Sequence, residues 1–87
     1  MANEEHIIGI QIRAARALLG LSADDLANMT RLSRGTIQRV ELETAEITVA
    51  NMARIVETLK AEEIIFIPAN GEGVGVRLSK KRHRKKN

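Results

Sequence analysis

Residues 22–43 read SADDLANMTRLSRGTIQRVELE, and this stretch decides the fold. Ser22 and Ser33 each stand where a side-chain oxygen can accept a hydrogen bond from the first turn of a helix. Helices are therefore predicted over residues 23–29 and, after the second serine, as far as about residue 43. Two short helices separated by about three residues have the spacing of a helix-turn-helix.

The segments on either side of this motif predict two more helices. Upstream, apolar residues recur along one helical stripe, and Gly20 can end that helix in a left-handed conformation. A first helix is therefore predicted over about residues 9–19. Downstream, Thr48 can cap a fourth helix whose apolar residues again follow a helical stripe. The predicted fold class is mainly α, with four helices over residues 9–63.

Two apolar segments after the helices predict a β-hairpin over residues 64–79. IIFI and VGVRL read as short strands joined by a glycine-rich turn that reverses near Asn70–Gly71, and Pro68 should end the first strand. IIFI is too apolar for an exposed edge, and a two-stranded hairpin alone is marginal in water. The hairpin is therefore a candidate dimerisation element whose strands pair or pack across a twofold axis. The alternative is that it folds back on its own helices.

Composition excludes several classes of protein. A chain of 87 residues suffices for one small domain, and the absence of cysteine excludes disulfides and thiolate zinc sites. Phe66 is the only aromatic residue, which disfavours binding of single strands by base stacking. No apolar run approaches the roughly 20 residues of a membrane span. A soluble, cytoplasmic protein without membrane contact is expected.

Charge is concentrated at the C-terminus. Residues 80–87 hold six of the 14 basic residues and none of the 11 acidic ones, so residues 1–79 carry eight basic against 11 acidic groups. Any affinity of the folded part for a polyanion must therefore come from local arrangement. The basic tail is predicted to be disordered. It can contact phosphates of a nucleic acid or keep the protein soluble, and both interpretations stay open.

Catalysis and metal binding are not expected. Asp24 and Asp25 could form a carboxylate pair, but attraction to the helix dipole explains two acids at a helix start. The serine and threonine caps have no histidine placed to activate them. His6 and His83 stand in the flanks without a neighbouring ligand. No catalytic residue, metal or cofactor is predicted, and no small-molecule ligand is expected in so small a domain.

Over roughly residues 10–60 the sequence resembles the phage-repressor family, the Cro and repressor class also called the xenobiotic-response-element type. Arg16 and Glu41 match an arginine and a glutamate that pair between the first helix and the recognition helix of that family. Ala27 matches the small residue where the two helices of the motif cross. The matching apolar positions are Leu26, Leu32, Ile37 and Val40. The resemblance implies a four-helix, lambda-repressor-like domain that binds double-stranded DNA.

The resemblance places the reading surface on the second helix of the motif. If Ile37 and Val40 face inward, the helical period turns the neighbouring polar side chains away from the core. Arginine can bind guanine through two hydrogen bonds and glutamine can bind adenine, each worth about 1–3 kcal/mol of discrimination. A glycine near the helix start would let the backbone approach DNA. The implied DNA-binding residues are Ser33, Arg34, Gly35, Thr36, Gln38 and Arg39.

Three residues depart from the family pattern. Arg31 stands where the family usually has a turn glycine, so the turn is either bent differently or loses about 1 kcal/mol to a positive φ. Ala23 replaces a glutamine that often contacts phosphate, which removes one expected contact. Glu63 stands where related tails carry the glycine that turns helix into strand.

The sequence thus predicts a sequence-specific transcription regulator of bacterial or phage type, a repressor that binds a short inverted repeat as a homodimer. The first alternative is the antitoxin of a toxin–antitoxin pair, which would bind DNA and cover a toxin protein with its C-terminal segment. The second is an RNA-binding protein led by the basic tail.

Overall fold

The computed structural model describes residues 6–80, which form four helices and an antiparallel two-stranded hairpin. The elements are α1 (Gly9–Leu19), α2 (Ala23–Thr30), α3 (Arg34–Leu42), α4 (Val49–Ala61), β1 (Ile64–Ile67) and β2 (Gly75–Leu78). The predicted mainly α fold with a C-terminal hairpin is confirmed. Apart from Lys80, the basic tail lies outside the described residues. In the described part, no helix has the length and apolar character needed to cross a bilayer.

Side-chain caps begin three of the helices at the predicted positions. Ser22 Oγ accepts a hydrogen bond from the Asp25 backbone N–H, and Asp25 Oδ2 accepts one from the Ser22 N–H, each at 2.9 Å. These hydrogen bonds hold the pKa of Asp25 below its ordinary value. Ser33 Oγ accepts from the Thr36 N–H at 3.0 Å, and Thr48 caps α4 in the same way. Each such cap stabilises its helix by about 1 kcal/mol.

The core lies where α1, α2, α3 and α4 meet, and β1 closes it. Its buried apolar residues are Ile12, Ala15, Leu26, Ala27, Ile37, Val40, Ile55, Val56, Leu59, Ile64 and Phe66. All but two of these come from the helices, as the predicted stripes require. The hairpin is therefore part of the same core as the helix-turn-helix, since Ile64 and Phe66 are buried in it.

The hairpin folds back on the helices of its own chain. Its strands pair from Ile64 with Leu78 to Ile67 with Gly75. The buried side chain of Gln11 in α1 donates a hydrogen bond from Nε2 to the Gly75 carbonyl at 3.0 Å. The chain reverses over residues 68–74, as the glycine-rich turn predicts. The role of this hairpin in dimerisation stays a prediction.

Among residues 6–80, three non-glycine residues adopt a left-handed backbone conformation. Arg31 has φ 62°, Glu43 has φ 56° and Glu63 has φ 74°. Arg31 ends α2, and the next N–H, that of Leu32, donates to the Ala27 carbonyl at 3.0 Å. The turn therefore keeps the geometry that suits glycine, and the arginine there costs about 1 kcal/mol. Glu63 likewise adopts positive φ between α4 and β1.

Candidate nucleic-acid interface

Helix α3 presents a polar face to solvent because its apolar face is held in the core. Ile37 is fully buried and Val40 is nearly so, and both belong to the cluster that includes Ala27 of α2. The polar side chains of Arg34 and Arg39 are exposed. Because an α-helix has 3.6 residues per turn, burial of Ile37 and Val40 turns these two arginines away from the core, as the sequence predicts.

The structure divides the six predicted residues into two neighbouring groups. In the first group, Ser33 and Arg39 both contact the Thr36 hydroxyl, and the Arg39 guanidinium lies over Gly35. In the second group, Arg34 lies near Asp24 of α2, and Gln38 lines a cleft between α3 and α1. Ser33, Arg34, Gln38 and Arg39 are exposed, whereas Gly35 and Thr36 are half-buried.

The first group surrounds the hydroxyl of Thr36. Thr36 Oγ1 lies 2.9 Å from Ser33 Oγ and accepts a hydrogen bond from Arg39 Nη2 at 3.3 Å. The Arg39 guanidinium also lies over Gly35, where an added Cβ would be 3.2 Å from Nη1. The side chain of Arg39 therefore points back along its own helix, as helical side chains tend to do.

The second group faces the start of α2 and the side of α1. Arg34 Nε lies 3.7 Å from Asp24 Oδ1, and both side chains are more than half exposed, so this ion pair contributes little to stability. Gln38 lines a cleft of about 290 Å³ together with Arg13 and Ala23. Arg34 and Gln38 thus keep most of their hydrogen-bonding capacity free for a ligand.

A buried ion pair fixes α3 against α1 behind the polar face. Arg16 Nε and Nη2 donate to the two carboxylate oxygens of Glu41 at 2.7 and 2.9 Å, and Arg16 Nη1 donates to the Leu21 carbonyl at 3.0 Å. The hydrogen bonds to Glu41 raise the pKa of Arg16. The pairing that the family resemblance implies is therefore present, and its role is structural because Glu41 is buried.

Sequence reasoning missed a second contact between these helices. The Gly9 N–H at the start of α1 donates to Glu43 Oε2 at 2.7 Å. A Cβ on Gly9 would meet the carbonyl oxygens of Val40 and Glu41 at the end of α3. The signal in the sequence was a glycine at a helix start, but its partners lie more than 30 positions away.

Arg13 is the other residue that sequence reasoning missed. It is exposed on α1 and lines the cleft beside Gln38, and it makes no ion pair within residues 6–80. The available signal was its spacing from Arg16, because residues three apart lie on the same helical face. The guanidinium of Arg13 thus extends the basic character of this surface from α3 to α1.

These features define a helix-turn-helix DNA-binding domain, and comparison with protein families agrees. The family model described as helix-turn-helix, of the Cro and repressor type, matches residues 12–65. The match covers more than half of the chain, and the chain belongs to this family. It is accordingly a DNA-binding transcription regulator. Comparison with curated proteins gave no match.

Proposed function

We propose that this protein is a sequence-specific repressor that binds a short inverted repeat in double-stranded DNA as a homodimer. The observation that carries the proposal is the outer face of α3, where Arg34, Gln38 and Arg39 are exposed while Ile37 and Val40 anchor the helix. A repressor of this kind acts by occupying a promoter, which requires no chemistry from the protein.

Base reading would take place in the major groove, which is wide enough to admit an α-helix. Arg34 and Arg39 suit guanine because a guanidinium can donate to O6 and N7 together, and Gln38 suits adenine. Each such contact is worth about 1–3 kcal/mol of discrimination.

Double-stranded DNA is favoured over single-stranded nucleic acid. Binding of single strands depends on aromatic side chains that stack on bases. Phe66 is the only aromatic residue of the chain, and its side chain is buried in the core on the inner face of β1. Binding of RNA would therefore depend on electrostatic attraction to phosphates without base stacking.

Dimerisation through the hairpin is supported by the apolar residues that the hairpin leaves outside the core. Ile65 is 41% exposed and Ile67 is half-buried. A second copy could cover these residues, and a dimer that binds half-sites one turn of DNA apart needs its two recognition helices about 34 Å apart. Because Ile64 and Phe66 belong to the core, truncation at residue 63 would damage the fold.

A substitution of Ile65 therefore tests the dimer better than truncation does. We expect Ile65→Lys to shift sedimentation of the full chain from dimer to monomer. Ala69→Lys, which adds the same charge in the exposed loop beyond β1, is the matched control and should leave the dimer intact. A variant with lysine at position 65 that remains dimeric would exclude the hairpin as the interface.

In-vitro selection from random duplex DNA tests sequence-specific binding directly. The full chain should recover a short inverted repeat, and the double substitution Arg34→Ala, Arg39→Ala should abolish or alter that consensus. Recovery of no consensus, or of the same consensus by the double variant, would contradict the proposal.

The second candidate function is that of an antitoxin. It is favoured by an exposed apolar surface at the start of α4. Val49 at the start of α4 is 86% exposed, beside a cleft of about 410 Å³ that is lined by Ile7 and Met52. Such a surface suits a protein partner. Expression of the neighbouring reading frame alone should then arrest growth, and co-expression of this chain should restore it. Unimpaired growth would remove this candidate.

A further inference from the structure

Thr36 connects the helix cap to an exposed arginine. Its backbone N–H donates to Ser33 Oγ at 3.0 Å, and its Oγ1 lies 2.9 Å from the same oxygen. Thr36 Oγ1 also accepts from Arg39 Nη2 at 3.3 Å. A hydroxyl oxygen has two lone pairs, so it can accept from arginine and still share a proton with the serine.

Gly35 provides the space that this arrangement needs. The Arg39 guanidinium lies across position 35, where an added Cβ would be 3.2 Å from Nη1 and 3.9 Å from Cζ. The first of these contacts is tighter than a side chain normally makes, so alanine would displace the guanidinium by a few tenths of an ångström. The absence of a side chain at Gly35 therefore leaves room for the Arg39 guanidinium. This role is separate from any approach of the Gly35 backbone to DNA.

Arg39 keeps enough donors for a base after this contact. A guanidinium has five N–H groups, and the hydrogen bond to Thr36 uses one of them. The others can make the two parallel hydrogen bonds that guanine accepts. By contrast, within the described residues Arg34 is held only by the Asp24 carboxylate at 3.7 Å, so its orientation is set far less firmly.

We infer that Thr36 is a positioning residue, which together with Gly35 orients Arg39 before DNA binds and so sharpens discrimination at one base pair. The inference rests on the proposed function, since it names a residue that would improve discrimination between base pairs by the exposed face of α3. Its physical basis is preorganisation: an arginine already held in place loses less freedom on binding.

A double-mutant cycle with the selected operator tests this inference. Thr36→Val removes the hydroxyl and keeps the shape, whereas Thr36→Ser keeps the hydroxyl and serves as the matched control. Each is made with Arg39 present and with Arg39→Ala, and Kd is measured on the operator and on duplexes with each single base pair changed. Chemical denaturation of every variant confirms that it is folded.

The expected result is a loss confined to the base pair that Arg39 reads. Thr36→Val should reduce discrimination there about three- to tenfold, as the loss of one orienting hydrogen bond would. Thr36→Ser should retain it, and Thr36→Val should have no further effect once Arg39 is alanine. Gly35→Ala should reduce discrimination at the same base pair.

Two other results would overturn the inference in distinguishable ways. If Thr36→Val weakens binding equally for all sequences, and does so with Arg39→Ala as well, Thr36 contacts the DNA backbone and does not position Arg39. If the unaltered chain selects no consensus at all, the proposed function fails and this inference fails with it.

Discussion

Gly9 lies against the backbone carbonyl of Val40, so closely that α1 can cross the end of α3 only without a side chain at position 9. The Gly9 N–H also donates to Glu43 Oε2 at 2.7 Å, which satisfies one of the free donors at the start of α1. This crossing and the Arg16–Glu41 pair hold α3 in place on the side away from its polar face.

Gly9→Ala should therefore destabilise the protein by about 1–3 kcal/mol, the usual cost of overpacking. The new Cβ would lie 2.6 Å from the Glu41 carbonyl oxygen, which is backbone and cannot move aside cheaply. Urea denaturation measures the effect. Gly73→Ala is the matched control, because an added Cβ there meets no atom of residues 6–80 within 4 Å. Equal stability of the two variants would show that the helices do not cross this closely.

Replacing Arg31 with glycine should stabilise the fold. Arg31 has φ 62° and ends α2, and glycine adopts this conformation without the steric cost of a Cβ. We expect a gain of about 0.5–1 kcal/mol in the free energy of unfolding. Arg31→Ala removes the same charge and keeps the Cβ, so it should give no such gain. A stabilisation shared by both variants would point to charge as its cause.

Breaking the Arg16–Glu41 pair should cost more than removing it altogether. Glu41→Ala leaves the arginine without its partner, and we expect a loss near the low end of about 3–5 kcal/mol because Arg16 keeps some exposure. Arg16→Met combined with Glu41→Leu should recover much of that loss, since apolar residues of similar volume can replace a buried pair. Denaturant titrations of the unaltered protein and these two variants measure the three free energies of unfolding. If the double variant is the least stable, the pair itself stabilises the fold.

Acid should weaken the start of α2. The Ser22 hydrogen bonds lower the pKa of Asp25 below its ordinary value of 3.8, so the ionised form is favoured in the folded state. This stabilisation is present above the ordinary pKa and is lost as the pH falls through the lowered pKa. Asp25→Asn should therefore reduce the dependence of thermal stability on pH below about pH 4. If thermal stability depends on pH in this variant as it does in the unaltered protein, the cap is not the source of that dependence.

Arg13 should act on DNA affinity without acting on sequence preference. It is exposed in the cleft beside Gln38, where it can neutralise a phosphate next to the bases that α3 is proposed to read. Arg13→Ala should weaken binding to all duplexes alike and reduce the slope of log K against log salt by about 0.9. Arg77→Ala removes an exposed arginine from the hairpin and is the control. A changed consensus in the Arg13 variant would show that it reads bases.

Local signals in the sequence predicted the elements because the interactions that form them are local. Ser22, Ser33 and Thr48 cap helices through hydrogen bonds to the backbone three residues ahead. Gly20 ends α1 with φ 71°, as its position at the end of the apolar stripe indicated. The six residues predicted to bind DNA came from the family resemblance, and the period of α3 explains why several of them are exposed.

Tertiary packing decided what depends on residues far apart in the chain. Arg31 takes a conformation that its own preference opposes, because the close packing of α2 on α3 requires that turn. Local signals do not identify the partners in three places: the contact of Gly9 with Val40, the burial of Ile64 and Phe66, and the position of Arg13 beside Gln38. These contacts form only when separate elements meet. The sequence alone therefore determined the helices and their inner faces, while packing determined how α3 is held and which residues surround its polar face.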